Sequence, residues 1–241
     1  MYNSTKAIVL SKVKYGDNDL IVKCYTETDG LVSYFLRGVL NSKAKRKQLA
    51  YYQLLGILEI IEYSKANSEL KFIREVKPLG HFHSLHSNVI KGSVVMFLAE
   101  MLSSVLREEE QNSQLFQYLE TSINWLEQED HFSNFHLLFL LNLTKFLGFY
   151  PETTNIGDAT SFDLETGRFV IKSNSRYVIE GENFHILKAL LGINFDVLND
   201  IKINANQRQS FLKMLLLYYQ LHLGNFRNPR SLEIFNQVFH T

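Results

Sequence analysis

The hydrophobic period of this chain changes once, at residues 78–80, and that change limits the folds open to it. Before it, over residues 6–77, apolar side chains recur in short runs with a period of two, which is typical of β-strands. After it the period is about 3.6, which is typical of amphipathic helices. The sequence therefore predicts an α+β protein of two domains, with a β domain at residues 1–79 and a helical domain at residues 80–241.

Five short strands are predicted in the β domain, with turn residues between them. Asp29 and Gly30 form the dipeptide of a tight hairpin, because both central residues of such a turn must accept positive φ. The link between the third and fourth strands is longer than the others. This pattern favours a five-stranded OB-type barrel, a fold that binds oligonucleotides, although an SH3-like or other small barrel would give nearly the same pattern. The predicted strands are residues 7–13, 20–26, 31–36, 54–63 and 69–76.

The helical domain shows apolar faces typical of a bundle. Ser133 is expected to cap its third helix, which is apolar nearly all round and ends where Gly148 and Pro151 forbid continuation. Residues 155–181 break the helical pattern and predict a β-hairpin or irregular insert. The predicted helices are residues 94–105, 115–126, 133–147, 184–191 and 206–223.

A basic segment lies in the long link between the third and fourth strands. No Asp or Glu lies between its first and last cation, and Tyr51 and Tyr52 follow the segment. Cations neutralise phosphates and aromatic rings stack on bases, so this combination predicts a nucleic-acid surface, with a solvated loop as the alternative. The cations are Arg37, Lys43, Lys45, Arg46 and Lys47.

Charge along the chain favours the nucleic-acid interpretation. Residues 1–80 hold 13 Lys and Arg against 8 Asp and Glu, whereas residues 81–155 hold 3 against 9. The zero net charge thus hides a basic β domain and an acidic body, and such asymmetry suggests a polyanion partner.

Further cations fall on the predicted strands. Lys12 and Lys14 share one parity and should face the same side of the barrel, whereas Lys71 and Arg74 have opposite parity and should not. With the basic segment they predict binding to nucleic-acid backbone and base faces without sequence preference.

Sequence motifs for catalysis are missing. Neither G-x-G-x-x-G nor G-x-x-x-x-G-K-[ST] occurs, and no G-x-S-x-G marks a nucleophile elbow. Cys24 lies in a predicted strand and is interpreted as a buried thiol. His81, His83 and His86 are interpreted as a polar junction rather than a metal site, because no cysteine or carboxylate stands beside them. We expect no enzyme and no metal.

The most apolar stretch begins at His136 and is interrupted by Asn142 and Lys145, so no membrane span is predicted. The first residues lack the apolar core of a signal peptide. The single cysteine fits a reducing compartment, and the sequence predicts a cytoplasmic protein.

Several motifs together resemble the RecO family of bacterial recombination mediators. The opening strand, Y-G-x-x-D turn, D-G hairpin and R-G end of the third strand follow in the family's order, and the basic link into the fourth strand is similar. Further likeness lies in LGFYP at 147–151, FDLETGRF at 162–169 and RSLEIF at 230–235. The residues of the opening motif are Tyr15, Gly16, Asp19, Gly30, Arg37 and Gly38.

The resemblance implies an OB domain, a helical domain and no enzymatic turnover. It implies binding to single- and double-stranded DNA, annealing of complementary strands, and a nucleoid-associated location. The implied partners are RecR and the C-terminal tail of single-stranded DNA-binding protein, with RecA loaded indirectly. A non-catalytic protein-interaction adaptor, with the barrel binding a partner protein, stays open as the alternative.

This chain departs from many RecO relatives in one respect. They place four zinc-binding cysteines around the insert, whereas residues 152–181 contain none. We therefore expect no zinc and an insert held by packing alone, which leaves more of the DNA contact to residues 37–52.

Overall fold

Alternating side chains build a closed β-barrel in the computed structural model, which describes residues 2–41, 47–64, 70–106 and 111–239. The strand order is β1-β2-β3-β5-β4, and β4 pairs back to β1. All neighbours are antiparallel except β3 and β5. The predicted OB-type barrel is confirmed. Its strands are Asn3–Tyr15 (β1), Asp19–Thr26 (β2), Gly30–Leu36 (β3), Ile57–Ser64 (β4) and Lys71–Pro78 (β5).

The barrel core is filled by the inward side chains of all its strands, with Cys24 fully buried among them as predicted. Burial raises the pKa of the Cys24 thiol. Gly30 adopts φ of +65°, a conformation that residues with a Cβ rarely accept. Asp29 does not have positive φ, and Gly30 already pairs with Thr26 as the first residue of β3. The predicted turn with Asp29 and Gly30 at its centre is therefore wrong, because the hairpin loop is residues 27–29.

The fourth strand begins at Ile57, three residues later than predicted. Leu55 has φ of +57°, and its N–H donates to the carbonyl of Val9 at 2.7 Å. The chain therefore turns against β1 before β4 starts, and apolar residues in that turn give a strand-like pattern without pairing.

Helices make up most of the described chain after the barrel. The predicted helical periods are confirmed. The helix Phe135–Phe146 (α4), predicted to be apolar nearly all round, is buried along almost its whole length. The helices are Ser84–Ser87 (α1), Val89–Val105 (α2), Ser113–Gln128 (α3), Phe135–Phe146 (α4), Gly181–Leu190 (α5), Ala205–His222 (α6) and Leu232–Phe239 (α7), with a 3-10 helix at Phe195–Asp200.

Two details of the helices differ from the prediction. Asn134, not Ser133, precedes α4, and its side-chain amide donates to the carbonyl of Ile201 at 2.8 Å instead of capping the helix. The helix α7 was not predicted. It is held by Phe235, whose ring stacks on Phe97 of α2 at 4.8 Å.

The predicted insert is a three-stranded antiparallel sheet of order β7-β6-β8. Phe162 in β6 packs against Phe169 at 4.9 Å between ring centroids. Asp163 also accepts hydrogen bonds from the N–H of Glu165 and the hydroxyl of Ser173, both at 2.9 Å. The insert is therefore held by hydrogen bonds to a buried carboxylate in addition to the predicted packing. The strands are Ser161–Asp163 (β6), Arg168–Val170 (β7) and Val178–Ile179 (β8).

Packing divides the chain into two compact units. One contains the residues up to Gln128 together with Pro229–Phe239, and the other contains Glu129–Asn228. The first unit thus holds the barrel with α1, α2, α3 and α7. The predicted boundary between residues 79 and 80 stays a prediction. Among the described residues, no helix has the length and apolarity needed to cross a membrane.

A carboxylate on α3 fixes the start of the first helix after the barrel. Glu127 accepts hydrogen bonds from the backbone N–H groups of His83, Ser84 and Leu85, each at 2.9 Å. Burial acts to raise the pKa of Glu127, but these hydrogen bonds outweigh it and lower the pKa. The buried ammonium of Lys91 donates to the Glu127 carbonyl at 2.9 Å. This network joins α1, α2 and α3.

We expect Glu127→Gln to lower the free energy of unfolding by about 1–2 kcal/mol at neutral pH, because hydrogen bonds to a charged acceptor are the stronger ones. Since the native pKa of Glu127 is lowered, its contribution is full above the ordinary glutamate pKa and is lost as the pH falls through the native value. Urea unfolding at neutral and acidic pH measures both effects.

The matched control is Glu120→Gln on the same helix, where the carboxylate makes a half-exposed pair with Lys6 at 2.9 Å. Its expected loss is below about 0.5 kcal/mol. Equal losses from the two variants at neutral pH would contradict the role assigned to Glu127.

Candidate nucleic-acid interface

The barrel closes at a seam of β3, β4 and β5, and one buried carboxylate joins all three strands there. The hydroxyl of Tyr34 in β3 donates to one oxygen of Glu62 in β4. The ammonium of Lys71 in β5 lies 2.5 Å from the other oxygen and 3.1 Å from Asp29. Glu62 is only 2% exposed. We call Tyr34, Glu62 and Lys71 the seam triad.

Lys71 is thus engaged inside the barrel wall rather than displayed to a ligand. Burial acts to lower its pKa, but the hydrogen bonds and charges of Glu62 and Asp29 outweigh burial and raise the pKa. Lys71 was predicted as a nucleic-acid contact, and this placement gives it a structural role instead.

Arg74 projects from the opposite side of β5 to Lys71, as the parity of the two positions predicted. The pairing of β4 with β5 shifts between Ile61 and Glu62, so Arg74 has no partner in the register and forms a bulge. Its guanidinium lies on the outer side, 4.4 Å from the ring centre of Tyr2.

Arg37 directly follows β3 and is exposed. The N–H of the next residue, Gly38, donates to the Asp19 carboxylate at 2.6 Å, which fixes this turn against the start of β2. Arg37 and Arg74 line one concavity of about 510 Å³ together with Lys77. Glu75 is the acid in that lining.

Lys47 is exposed. The rest of the basic segment, Lys43, Lys45 and Arg46, lies outside the described residues. Lys12 and Lys14 are both exposed and lie opposite the buried Val22 and Leu20, so they share one face of β1 as predicted. That face is opposite to the one carrying Tyr15.

The two tandem tyrosines have different environments. Tyr52 is 1% exposed and belongs to the barrel core, and burial raises its pKa. Its ring is closed to a base, which corrects the expectation that either tyrosine is available for stacking. Tyr51 is 38% exposed.

His81, His83 and His86 line a separate concavity of about 320 Å³ beside Tyr51. Burial lowers the pKa of His86, with a further lowering from the charge of Lys12 that opposes the raising effect of Glu127. Within the described ranges, no group of three or more His, Cys, Asp or Glu side chains is arranged to hold a metal ion.

Sequence reasoning missed Lys77 and the outward rings of Phe35, Phe72 and Tyr63, which line the same concavity as Arg37. Each ring stands at an outward parity of its strand, and that signal was legible. The strand register that brings the rings side by side was not legible, because it depends on how the barrel closes.

Comparison with known proteins identifies the family. The sequence matches the family models described as Recombination protein O N terminal, over residues 1–82, and Recombination protein O C terminal, over residues 86–232. A DNA repair protein RecO from Christiangramia forsetii is 48% identical, and the match covers 98% of each chain. The chain belongs to the RecO family. Relatives with the same name from Flavobacterium psychrophilum and Phocaeicola vulgatus are 41% and 34% identical, each over 99% of this chain and 100% of their own.

RecO membership gives the chain a role in DNA repair and recombination. The cations of the candidate interface all lie within the region matched by the N-terminal RecO model. The RecO resemblance expected from the sequence motifs is therefore confirmed over the full chain.

The seam triad predicts that Lys71→Ala and Arg74→Ala lower the free energy of unfolding by different amounts. Lys71→Ala leaves the Glu62 carboxylate buried without its cation, so we expect it to lower the free energy of unfolding by about 2–4 kcal/mol. Arg74→Ala removes an exposed contact with Tyr2 and should cost below about 1 kcal/mol. Urea unfolding compares the two, and similar losses would show that Lys71 is not a structural cation.

Proposed function

We propose that this RecO protein binds single- and double-stranded DNA without sequence preference through the outer basic face of its barrel. The observation that carries the proposal is the concavity in which Arg37, Arg74 and Lys77 meet beside a single acid. Guanidinium and ammonium groups bind phosphate oxygens and release counterions, whatever the base sequence. The basic segment that includes Lys43, Lys45 and Arg46 follows Arg37 in the sequence, and its cations would bind phosphates in the same way.

Annealing of complementary strands is part of the proposal. Base pairing supplies the driving force for annealing, and the protein needs only to screen phosphate repulsion and hold two strands together. A basic face that contacts backbone rather than base edges leaves the bases free to pair. No bond is made or broken by the protein in this scheme, so we propose a mediator that is not an enzyme.

The proposed partners follow from RecO membership and the resemblance given above. They are RecR, the C-terminal tail of single-stranded DNA-binding protein, and RecA, which is loaded indirectly. DNA binding would also give the protein a nucleoid-associated location in the cytoplasm. The helices offer amphipathic faces for an acidic, apolar tail.

We also propose that this member works without zinc. The insert lacks the four cysteines of many relatives, and the residues present do not replace them. Phe162 instead packs on Tyr218 at 5.9 Å, and Phe169 packs on Phe184 at 5.7 Å. Purified protein is expected to hold less than about one-tenth of a zinc per chain by elemental analysis, because thiolate ligands are lacking. Stoichiometric zinc, or loss of folding on adding EDTA, would contradict this.

Salt dependence tests the DNA proposal. If the five cations Arg37, Lys43, Lys45, Arg46 and Lys47 each neutralise a phosphate, together they contribute about −3.5 to the slope of log single-strand affinity against log salt. Alanine at all five should remove that contribution, leaving only the part carried by Arg74 and Lys77, and should weaken duplex binding as well. Fluorescence anisotropy over a salt series measures both.

The control replaces five exposed cations outside the barrel, which changes the net charge equally. A variant with alanine at these positions should keep the wild-type slope. Unchanged DNA binding in the basic-segment variant, with loss of a protein partner, would instead support the adaptor. The control positions are Lys172, Arg176, Lys202, Lys213 and Arg227.

A further inference from the structure

A row of apolar side chains crosses the outside of the barrel, with one residue from each strand. The backbone register places Val13 opposite Ile21, Ile21 opposite Phe35, Phe35 opposite Phe72, and Phe72 opposite Tyr63. Residues directly opposite one another project from the same face of a sheet. The chain neighbours Val22, Tyr34 and Glu62 are buried, so the row lies on the opposite, outer side of these strands.

Aromatic rings form the larger part of this surface. Phe72 stacks on Tyr63 at 5.5 Å and meets Phe35 edge-on at 6.1 Å. Tyr15 extends the line beyond Phe35 at 5.9 Å, and Tyr2 extends it beyond Tyr63 at 6.1 Å. We call these five side chains the outer aromatic row.

The outer aromatic row is open to solvent at both ends. Tyr15 is 58% exposed and Tyr2 is 60% exposed, whereas the three rings between them are half-buried. Those three rings line the 510 Å³ concavity that also holds Arg37, Arg74 and Lys77. Aromatic faces and phosphate-binding groups are therefore interleaved on one surface.

We propose that the outer aromatic row is a base-stacking platform that makes this protein prefer single-stranded DNA to duplex. In a duplex the bases are paired and stacked on one another, so only phosphates reach the cations. In a single strand the base faces are free to stack on protein rings, which adds affinity without sequence preference. This inference rests on the proposed DNA binding. In it the cations of the surface bind phosphates and the aromatic rings bind bases.

Charge at the concavity favours a nucleic acid over a protein as the occupant. Of the described residues, three cations and one carboxylate line it, so their net charge complements a polyanion. Arg74 additionally lies over the ring of Tyr2 at 4.4 Å, which places a phosphate-binding group directly beside a stacking group.

Removing two rings of the row provides the test. In the double variant Tyr15→Leu and Tyr63→Leu, the dissociation constant for an oligothymidylate of about 15 nucleotides should rise about tenfold or more, because stacking on each ring carries a large part of single-strand affinity. The constant for a duplex of the same length should change by less than about twofold. Anisotropy at one fixed salt concentration measures both.

The matched control is Tyr177→Leu. Arg176 lies over the Tyr177 ring at 4.9 Å, so this site repeats the pairing of Arg74 with Tyr2 away from the barrel. The control should bind both DNAs as the wild type does. A second row variant, Tyr2→Leu with Tyr15→Leu, replaces only exposed rings, so it tests the same claim if the first variant folds poorly.

An abasic oligonucleotide of the same length separates stacking from charge. The wild type should bind it about tenfold or more weakly than oligothymidylate, whereas the row variants should bind both with nearly equal affinity. Two results would overturn the stacking platform while leaving DNA binding in place. One is equal affinity of the wild type for the abasic oligonucleotide and for oligothymidylate, and the other is an equal loss of duplex and single-strand affinity in the row variants. A wild type that binds neither DNA would overturn the proposed function itself.

Discussion

The closure of the barrel depends on the buried carboxylate of Glu62. Among the described residues, β3 and β5 pair through Tyr34 with Lys71 and through Phe35 with Phe72, so few backbone hydrogen bonds between them hold this edge. Glu62 compensates by accepting from Tyr34 and pairing with Lys71. A buried carboxylate without these partners would be costly, so the three side chains hold β3, β4 and β5 in one arrangement.

That arrangement also sets the outer surface. The seam triad lies on the inner side of the strands, and Phe35, Phe72 and Tyr63 lie on the outer side at adjacent positions of the same strands. Fixing the register inside therefore fixes the ring contacts outside. The bulge at Arg74 adds a cation to the same face. The inward side chains of these strands thus hold the barrel closed, and the outward side chains form the proposed DNA-binding surface.

Much of this architecture was readable from the sequence. The change of period, the hairpin at Gly30 and the apolar helix α4 follow from local patterns, and the family motifs indicated the RecO family. The partners of Glu62 were not predictable, because nothing in the local pattern of residues 54–63 indicates that Tyr34 and Lys71 will surround its carboxylate. Tyr52 was read as a surface ring, because the turn at Leu55 that buries it depends on a contact with Val9. Both cases depend on partners distant in sequence.

Photo-crosslinking maps the proposed binding surface most directly. An oligothymidylate carrying 5-iodouracil, irradiated in complex with the full chain and analysed by peptide mass spectrometry, reports which side chains touch the bases. We expect crosslinks at the outer aromatic row, foremost at the exposed rings of Tyr15 and Tyr2. Crosslinks confined to Glu129–Asn228, with none on the barrel, would contradict it.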